Sequence, residues 1–292
     1  MLPEKVREGI TLRRIVNGLR SPSLLIRNLR FWWNEEVSSS EHIFVVGPPR
    51  NGTTLVKNVL RSHSEICGVD RETRFFLRKN FADFRHPSDI KDDEMKDIIS
   101  KSKSIVGLFD NFANRIKQKK GKDIFLEKTP EHALRMDYII NHFPKSKVIF
   151  VIRDPRDSVR SAKNVPNVWS TFANKNKIKS YMSVWKNSLN EYDKHKSRVM
   201  LVKYESFCEN TNECLSRMMN FIDLSPEVEQ LHPTSYGNTV VSEAESHLRL
   251  REPITAKSVG RWKKELSREE VCQIEESVAS EMRELGYSLT QV

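Results

Sequence analysis

The chain has 292 residues, 38% of them hydrophobic and 30% charged, enough apolar material for one sizeable core at the upper end of single-domain length. Lys and Arg number 49 against 39 Asp and Glu, a net charge of +10 that favours anionic partners (nucleotides, acidic glycans, nucleic acid or a membrane surface) without choosing among them. The longest apolar runs fall far short of the roughly 20 residues that cross a bilayer, no continuous apolar signal opens the N-terminus, and Cys67, Cys208, Cys214 and Cys272 lack the paired spacing of a zinc ribbon or a redox dithiol. These features read as a cytoplasmic protein with reduced, packing cysteines.

Residues 1–40 read as a basic helical extension, its apolar residues ending in Phe31, Trp32 and Trp33, which either packs on the domain or makes a peripheral membrane contact through residues 1–33. A single domain spans 41–292. The run "EHIFVVG" (41–47) predicts a short buried strand and Thr53 to about Ser62 a helix with Leu55, Val56, Val59 and Leu60 along one face. Residues 83–122 are polar and lysine-rich, a helical insertion on the acceptor side with a turn at "KQKKGK". Then follow a strand at 123–128, a helix at 130–143 with Pro in its first turn, a strongly apolar strand at 146–155, a helix from Arg156 to about Lys163, a strand at 198–205 and a helix at 212–222. "SREE" (267–270) is a capping box opening a last helix that Gly286 ends. Strands alternating with helices imply an α/β domain of three layers, a central parallel sheet flanked by helices.

In such a sheet, ligands meet the carboxyl ends of strands, where helix N-termini point free N–H groups outward. After the first strand comes "PPRNGTT" (48–54): the amides of 50–54, the hydroxyls of Thr53 and Thr54 and the Arg50 guanidinium can surround an oxyanion. This is a phosphate loop in outline, with Thr53 where a nucleotide triphosphatase carries lysine. After the strand at 146–155 comes "RDPRDSVRS" (153–161), where Arg153 and Ser161 grip one phosphate together if that group lies along the helix flank.

Taken in order, "PPRNGTT", "RDPRDSVRSA", "VKYESF" and "GRWKKEL" resemble the sulfotransferases that use 3′-phosphoadenosine 5′-phosphosulfate, over about 41–265. The resemblance implies that Arg50, Asn51, Gly52, Thr53 and Thr54 hold the 5′-phosphosulfate, that Arg153, Ser161, Arg261 and Ser258 hold the 3′-phosphate, and that Tyr204 lies near the nucleotide. Trp262 is either packing or part of that closing segment. Asn51 stands where Ser is commoner. A donor with one phosphosulfate needs neither the missing lysine nor a metal, since amides, hydroxyls and fixed cations suffice. Lys128 in "EKTP" is the candidate cation for the bridging oxygen. "ETR" at 72–74 resembles the tyrosylprotein sulfotransferase segment that carries the catalytic base, placing that role on Glu72 with Arg74 beside it; Asp70, His63, His86 and His132 are the rivals. Asn51-Gly52-Thr53 is also a glycosylation sequon, whose use would block the loop, again pointing to a cytosolic protein.

The implied activity is sulfuryl transfer from that donor to an acceptor hydroxyl on a saccharide or glycoconjugate, with tyrosyl peptides or lipid-linked acceptors as alternatives. A P-loop kinase or triphosphatase is the rival enzyme, which the missing lysine disfavours. A nucleic-acid binder rests on net charge alone, with no aromatic-interleaved basic motif behind it. Oligomeric state stays open.

Overall fold

The computed structural model describes residues 31, 34–77, 89–172, 176–232 and 254–290. The expected N-terminal extension therefore lies mostly outside the described residues, as does His86; Phe31 is buried in the core.

The chain forms β1 (His42–Val46), α1 (Thr53–Arg61), β2 (Ile66–Gly68), α2 (Asp92–Lys101), α3 (Ile105–Lys120), β3 (Ile124–Lys128), α4 (Met136–His142), β4 (Lys147–Ile152), α5 (Pro155–Lys163), α6 (Lys177–His195), β5 (Val199–Lys203), α7 (Tyr204–Glu209), α8 (Thr211–Phe221) and α9 (Arg268–Glu284). The five strands make one sheet in the order β2-β3-β1-β4-β5, every pair parallel. Alternation along β1 and β4 divides the core between two faces. Phe44, Val46, Val148, Phe150 and Ile152 join Phe109 and Phe112 of α3, Ile139 of α4, Tyr181 and Trp185 of α6 and Ile274 of α9. Ile43, Val45, Ile149 and Val151 turn the other way, onto Val56, Val59 and Leu60 of α1 and Leu215 and Met218 of α8. This is the expected three-layer α/β domain, held by burial on both sides of near-continuous apolar strands.

From β1 the chain crosses toward β2 and β3, whereas from β4 it goes to β5 on the opposite side. The strand order thus reverses between β1 and β4, which opens a crevice at their carboxyl ends. There the backbones come very close: a Cβ on Gly47 would sit 2.2 Å from the Val151 carbonyl oxygen, so only glycine fits at the exit of β1.

Several local expectations change. The helix expected over 130–143 is a 3₁₀ segment, Pro130–Arg135, followed by α4; the tight first part lets the buried His132 ring reach back to Glu127 Oε2 at 3.2 Å. The turn expected at "KQKKGK" is instead the last turn of α3, ended by Gly121 in the left-handed region at φ 60°. The segment expected as an acceptor-side insertion is in its second half a core helix, since α3 buries Leu108, Phe109, Phe112 and Ile116. Its lysines also have structural work: Lys120 donates to the Gly68 carbonyl at 2.9 Å and Lys122 to that of Ile66 at 2.9 Å, covering the edge strand β2. Sequence reasoning missed β2, only three residues long, and α6, although Ile178, Tyr181, Met182, Trp185 and Leu189 mark its buried stripe. The Ser267–Glu270 capping box and the Gly286 stop stand as read. No helix among the described residues is long and apolar enough to cross a membrane.

Candidate active site

The crevice widens into a cleft of about 920 Å³ whose walls include Arg50, Gly52, Thr53, Thr54, Glu72, Arg153, Ser161, Tyr204, Ser258 and Arg261. Residues from five separate sequence segments therefore meet at one sheet edge.

The loop between β1 and α1 is shaped by left-handed backbone at Arg50 (φ 67°) and Gly52 (φ 94°), the kind of conformation from which backbone anion nests are built, and it leads directly into the start of α1. Gly52 has a second reason to lack a side chain, because a Cβ there would lie 2.3 Å from the Tyr204 ring. Arg50 Nε donates to Ser161 Oγ at 3.3 Å, linking the loop to α5. Burial holds the Arg50 guanidinium below its ordinary pKa, the signature of a desolvated cation that an incoming anion would stabilise.

Asn51 differs from expectation. Its side chain faces inward, fully buried, with Nδ2 donating to the Pro49 carbonyl at 3.0 Å and to Tyr181 OH at 3.3 Å, while Oδ1 accepts the Arg153 N–H at 2.7 Å. Its side chain therefore fastens the loop to the end of β4 and cannot also contact a ligand. An amide suits that bridge, since its Nδ2 donates toward the loop while its Oδ1 accepts from the end of β4.

Arg153 is 5% exposed; its Nη2 donates to the Ser258 carbonyl at 2.5 Å, its guanidinium carbon lies 4.4 Å from the centre of the Tyr204 ring, and its Nε is buried without a partner among the described residues. An orphaned guanidinium N–H in a cleft also lined by Ser161 and Arg261 is a donor set suited to a second anionic group. Tyr204 OH bonds to Ser258 Oγ at 2.6 Å, and burial pushes that phenol up to about 12.

On the other side of the loop, Glu72 Oε1 accepts from Lys128 Nζ at 2.8 Å. Glu72 stands on the cleft wall, whereas the Lys128 side chain is 6% exposed and lies behind it. The loop carrying Glu72 is fastened from below: Thr73 Oγ1 donates to the buried Glu127 at 2.6 Å and the Arg74 N–H to Thr129 Oγ1 at 3.1 Å. Lys57 of α1 donates to the Asp70 carbonyl at 3.2 Å; burial, with the neighbouring Lys128 charge, lowers its pKa to about 7. The rival bases lie elsewhere. Asp70 pairs with Arg61 at 3.0 Å, His63 bonds to the Ser225 carbonyl at 3.0 Å, and His132 is enclosed between Glu127 and the Phe76 N–H. None of the three lines the cleft.

Sequence reasoning missed Arg160, which stands immediately before Ser161 in the same motif and also lines the cleft, and Lys257 beside Ser258. It also left Leu55, Ile254 and, on the opposite wall, Leu134, Val168 and Phe172 without a place in the site. Their signal was hydrophobic residues next to charged motifs, which reads as core until the fold shows a wall.

A model described as the sulfotransferase family matches residues 42–228. The chain belongs to this sulfotransferase family. Similar curated proteins include a protein-tyrosine sulfotransferase of Drosophila melanogaster, 24% identical over 75% of this chain and 46% of that protein, and a putative protein-tyrosine sulfotransferase of Caenorhabditis briggsae, 26% identical over 65% of this chain and 68% of that one. The nodulation protein NoeE of Sinorhizobium fredii is 21% identical over 84% of this chain and 65% of its own length. This sulfotransferase-family chain thus spans about half of the Drosophila relative and about two thirds of the other two. Two solved structures share its fold. The sulfotransferase domain of the Synechococcus PCC 7002 olefin synthase has a TM-score of 0.64 at 15% identity, covering 85% of this chain and 98% of that one, and the sulfotransferase domain from the curacin biosynthetic pathway 0.64 at 18%, covering 86% and 99%.

Proposed function

We propose that this chain transfers a sulfuryl group from 3′-phosphoadenosine 5′-phosphosulfate to an acceptor hydroxyl. The observation that carries the reading is the meeting, in one cleft, of the left-handed anion loop at 50–54, the partnerless Arg153 Nε and Glu72. When bound, the donor supplies the sulfuryl group, its S–O bond to phosphate breaking as the acceptor oxygen bonds to sulfur. The loop amides and the hydroxyls of Thr53 and Thr54 hold the 5′ end, and Arg50 offsets its charge. Arg153, Ser161, Ser258 and Arg261 hold the 3′-phosphate, and Tyr204, Leu55 and Ile254 supply the apolar wall beside it. Glu72 takes the acceptor proton. Lys128, which pairs with Glu72, is the cation for the oxygen left behind, so opening of that pair would free a base and a cation together.

The acceptor we take to be a saccharide or glycoconjugate. Glu131, Arg74, Asn167 and Thr171 give the cleft hydrogen-bonding groups beyond the donor set, and Leu134, Val168 and Phe172 give it apolar surface against which a ring can lie. A tyrosyl side chain is the second reading, favoured by the protein-tyrosine sulfotransferases among the relatives. Incubation with sulfur-labelled donor and parallel panels of glycans, tyrosyl peptides and lipid alcohols tests both levels of the proposal. Label in the glycan panel is the expected result; label only in another panel moves the acceptor, and label in none, together with no binding of adenosine 3′,5′-bisphosphate, rejects the donor.

A further inference from the structure

Asp157 is a carboxylate fully buried 3.7 Å from Arg153, the cation assigned to the 3′-phosphate. As a charge it opposes any phosphate bound there. Its two oxygens, however, each accept a backbone N–H from the segment that carries Ser258 and Arg261: Oδ2 from Gly260 at 2.6 Å and Oδ1 from Trp262 at 3.0 Å. Its neighbours on α5 reach the same segment. Arg156 lies with its guanidinium carbon 3.9 Å from the Trp262 ring centre, and Arg160 makes two bonds to Glu265, at 2.5 and 2.8 Å. Three of the charges in "RDPRDSVRS" thus hold residues 260–265 against the first turns of α5. At the first held point the backbone is left-handed (Gly260, φ 72°); two residues before it the Ser258 carbonyl lies on Arg153, and directly after it Arg261 lines the cleft.

We propose that Asp157 is a positioning residue for donor recognition: by fixing the turn at Gly260 it places Ser258 and Arg261 around the 3′-phosphate, and that placement outweighs the repulsion of its charge. The inference rests on the donor reading above. Burial raises the Asp157 pKa while Arg153 and the two N–H groups oppose the rise, so the clasp is built around a carboxylate stabilised only by these partners.

The sign of one substitution separates placement from charge. Asp157→Asn keeps the shape but removes the charge, and its amide N–H₂ faces one of the two backbone N–H groups, breaking that bond. Titration calorimetry of wild type and variant uses adenosine 3′,5′-bisphosphate and adenosine 5′-phosphate as probes. We expect the variant to lose roughly tenfold in affinity for the bisphosphate. Its affinity for the 5′-phosphate, held at 50–54, should be unchanged, so the preference between the two nucleotides shrinks. General destabilisation would lower both affinities and leave the preference intact. Tighter bisphosphate binding by Asp157→Asn would show that the residue acts only through its charge, and an unchanged preference would show that the clasp places nothing; either overturns the proposal. Gly260→Ala is the second variant, with no atom of the described residues within 4 Å of its added Cβ but an unfavourable left-handed backbone. It should show the same selective loss, and it decides the matter if Asp157→Asn fails to fold. A wild-type chain that does not distinguish the two nucleotides would reject the donor reading instead, a separate outcome.

Discussion

Lys57 lies under the loop that carries Glu72, 3% exposed, with its pKa lowered from 10.5 to about 7, chiefly by burial and then by the Lys128 charge. Between those two values the unfolded chain holds a proton at this lysine that the folded chain has given up, so unfolding is penalised more as pH rises. Below about pH 7 both states are protonated and the cost of burying the charge is felt in full; above it that cost is relieved. Each pH unit in the window contributes up to ~1.4 kcal/mol, which integrates to ~2 kcal/mol between pH 7 and 9 because the folded lysine is half-protonated at the lower end. Lys57→Met removes the group. Urea unfolding followed by tryptophan fluorescence at pH 7, 8 and 9, on both proteins, isolates the effect, because the cysteines and tyrosines that titrate nearby are common to both and cancel in the difference. The stability of wild type relative to the variant should rise by ~2 kcal/mol over that range. A difference that stays flat or falls would mean that Lys57 keeps its charge in the folded protein and that its burial has been misjudged.

Glu72→Gln cannot accept the acceptor proton, so single-turnover transfer should slow by about 10²–10⁴-fold while adenosine 3′,5′-bisphosphate binds as before; normal turnover in this variant, with loss in Asp70→Asn or His132→Asn, would move the base. Arg153→Ala should weaken binding of the bisphosphate by roughly ten- to a hundredfold, as expected for a charge-assisted contact, and spare adenosine 5′-phosphate, a contrast that competition binding measures directly. Gly52→Ala places a Cβ 2.3 Å from the Tyr204 ring in a left-handed position and should abolish binding of both nucleotides, readable by calorimetry with an unfolding scan to show that the fold survives. Turnover should continue in excess EDTA, since Arg50 and Lys128 are proposed to supply the charge a metal would; activity lost to EDTA and restored by magnesium would favour the kinase-like alternative.

Elements whose physics is local could be read directly from the chain. The strand–loop–helix at 41–62 was legible because apolar runs, a glycine turn and a helical stripe follow one another within a few residues, and the capping box at Ser267 because its partners are three residues apart. The position of Arg153 after a strand marked it as an anion site, resemblance in motif order added Glu72 and Arg261, and the fold brings all three to the same cleft. Tertiary structure alone decided what each polar group faces. Asn51 reads as a ligand contact in its motif, yet pairing of β1 with β4 sets its amide between Pro49 and Arg153, where it holds the loop together. Lysines at 120 and 122 read as part of a lysine-rich acceptor-side insertion, but the short strand β2, too brief to announce itself, takes their ammonium groups onto its edge. The charges of "RDPRDSVRS" look alike along the chain; the end of β4 brings Arg153 to the cleft, while α5 brings Ser161 there and turns Asp157 toward Gly260 and Trp262, a partner more than a hundred residues away. A side chain's direction follows from the element that carries it, but its partner is fixed by which distant backbone the sheet order brings alongside, and no spacing within a motif encodes that.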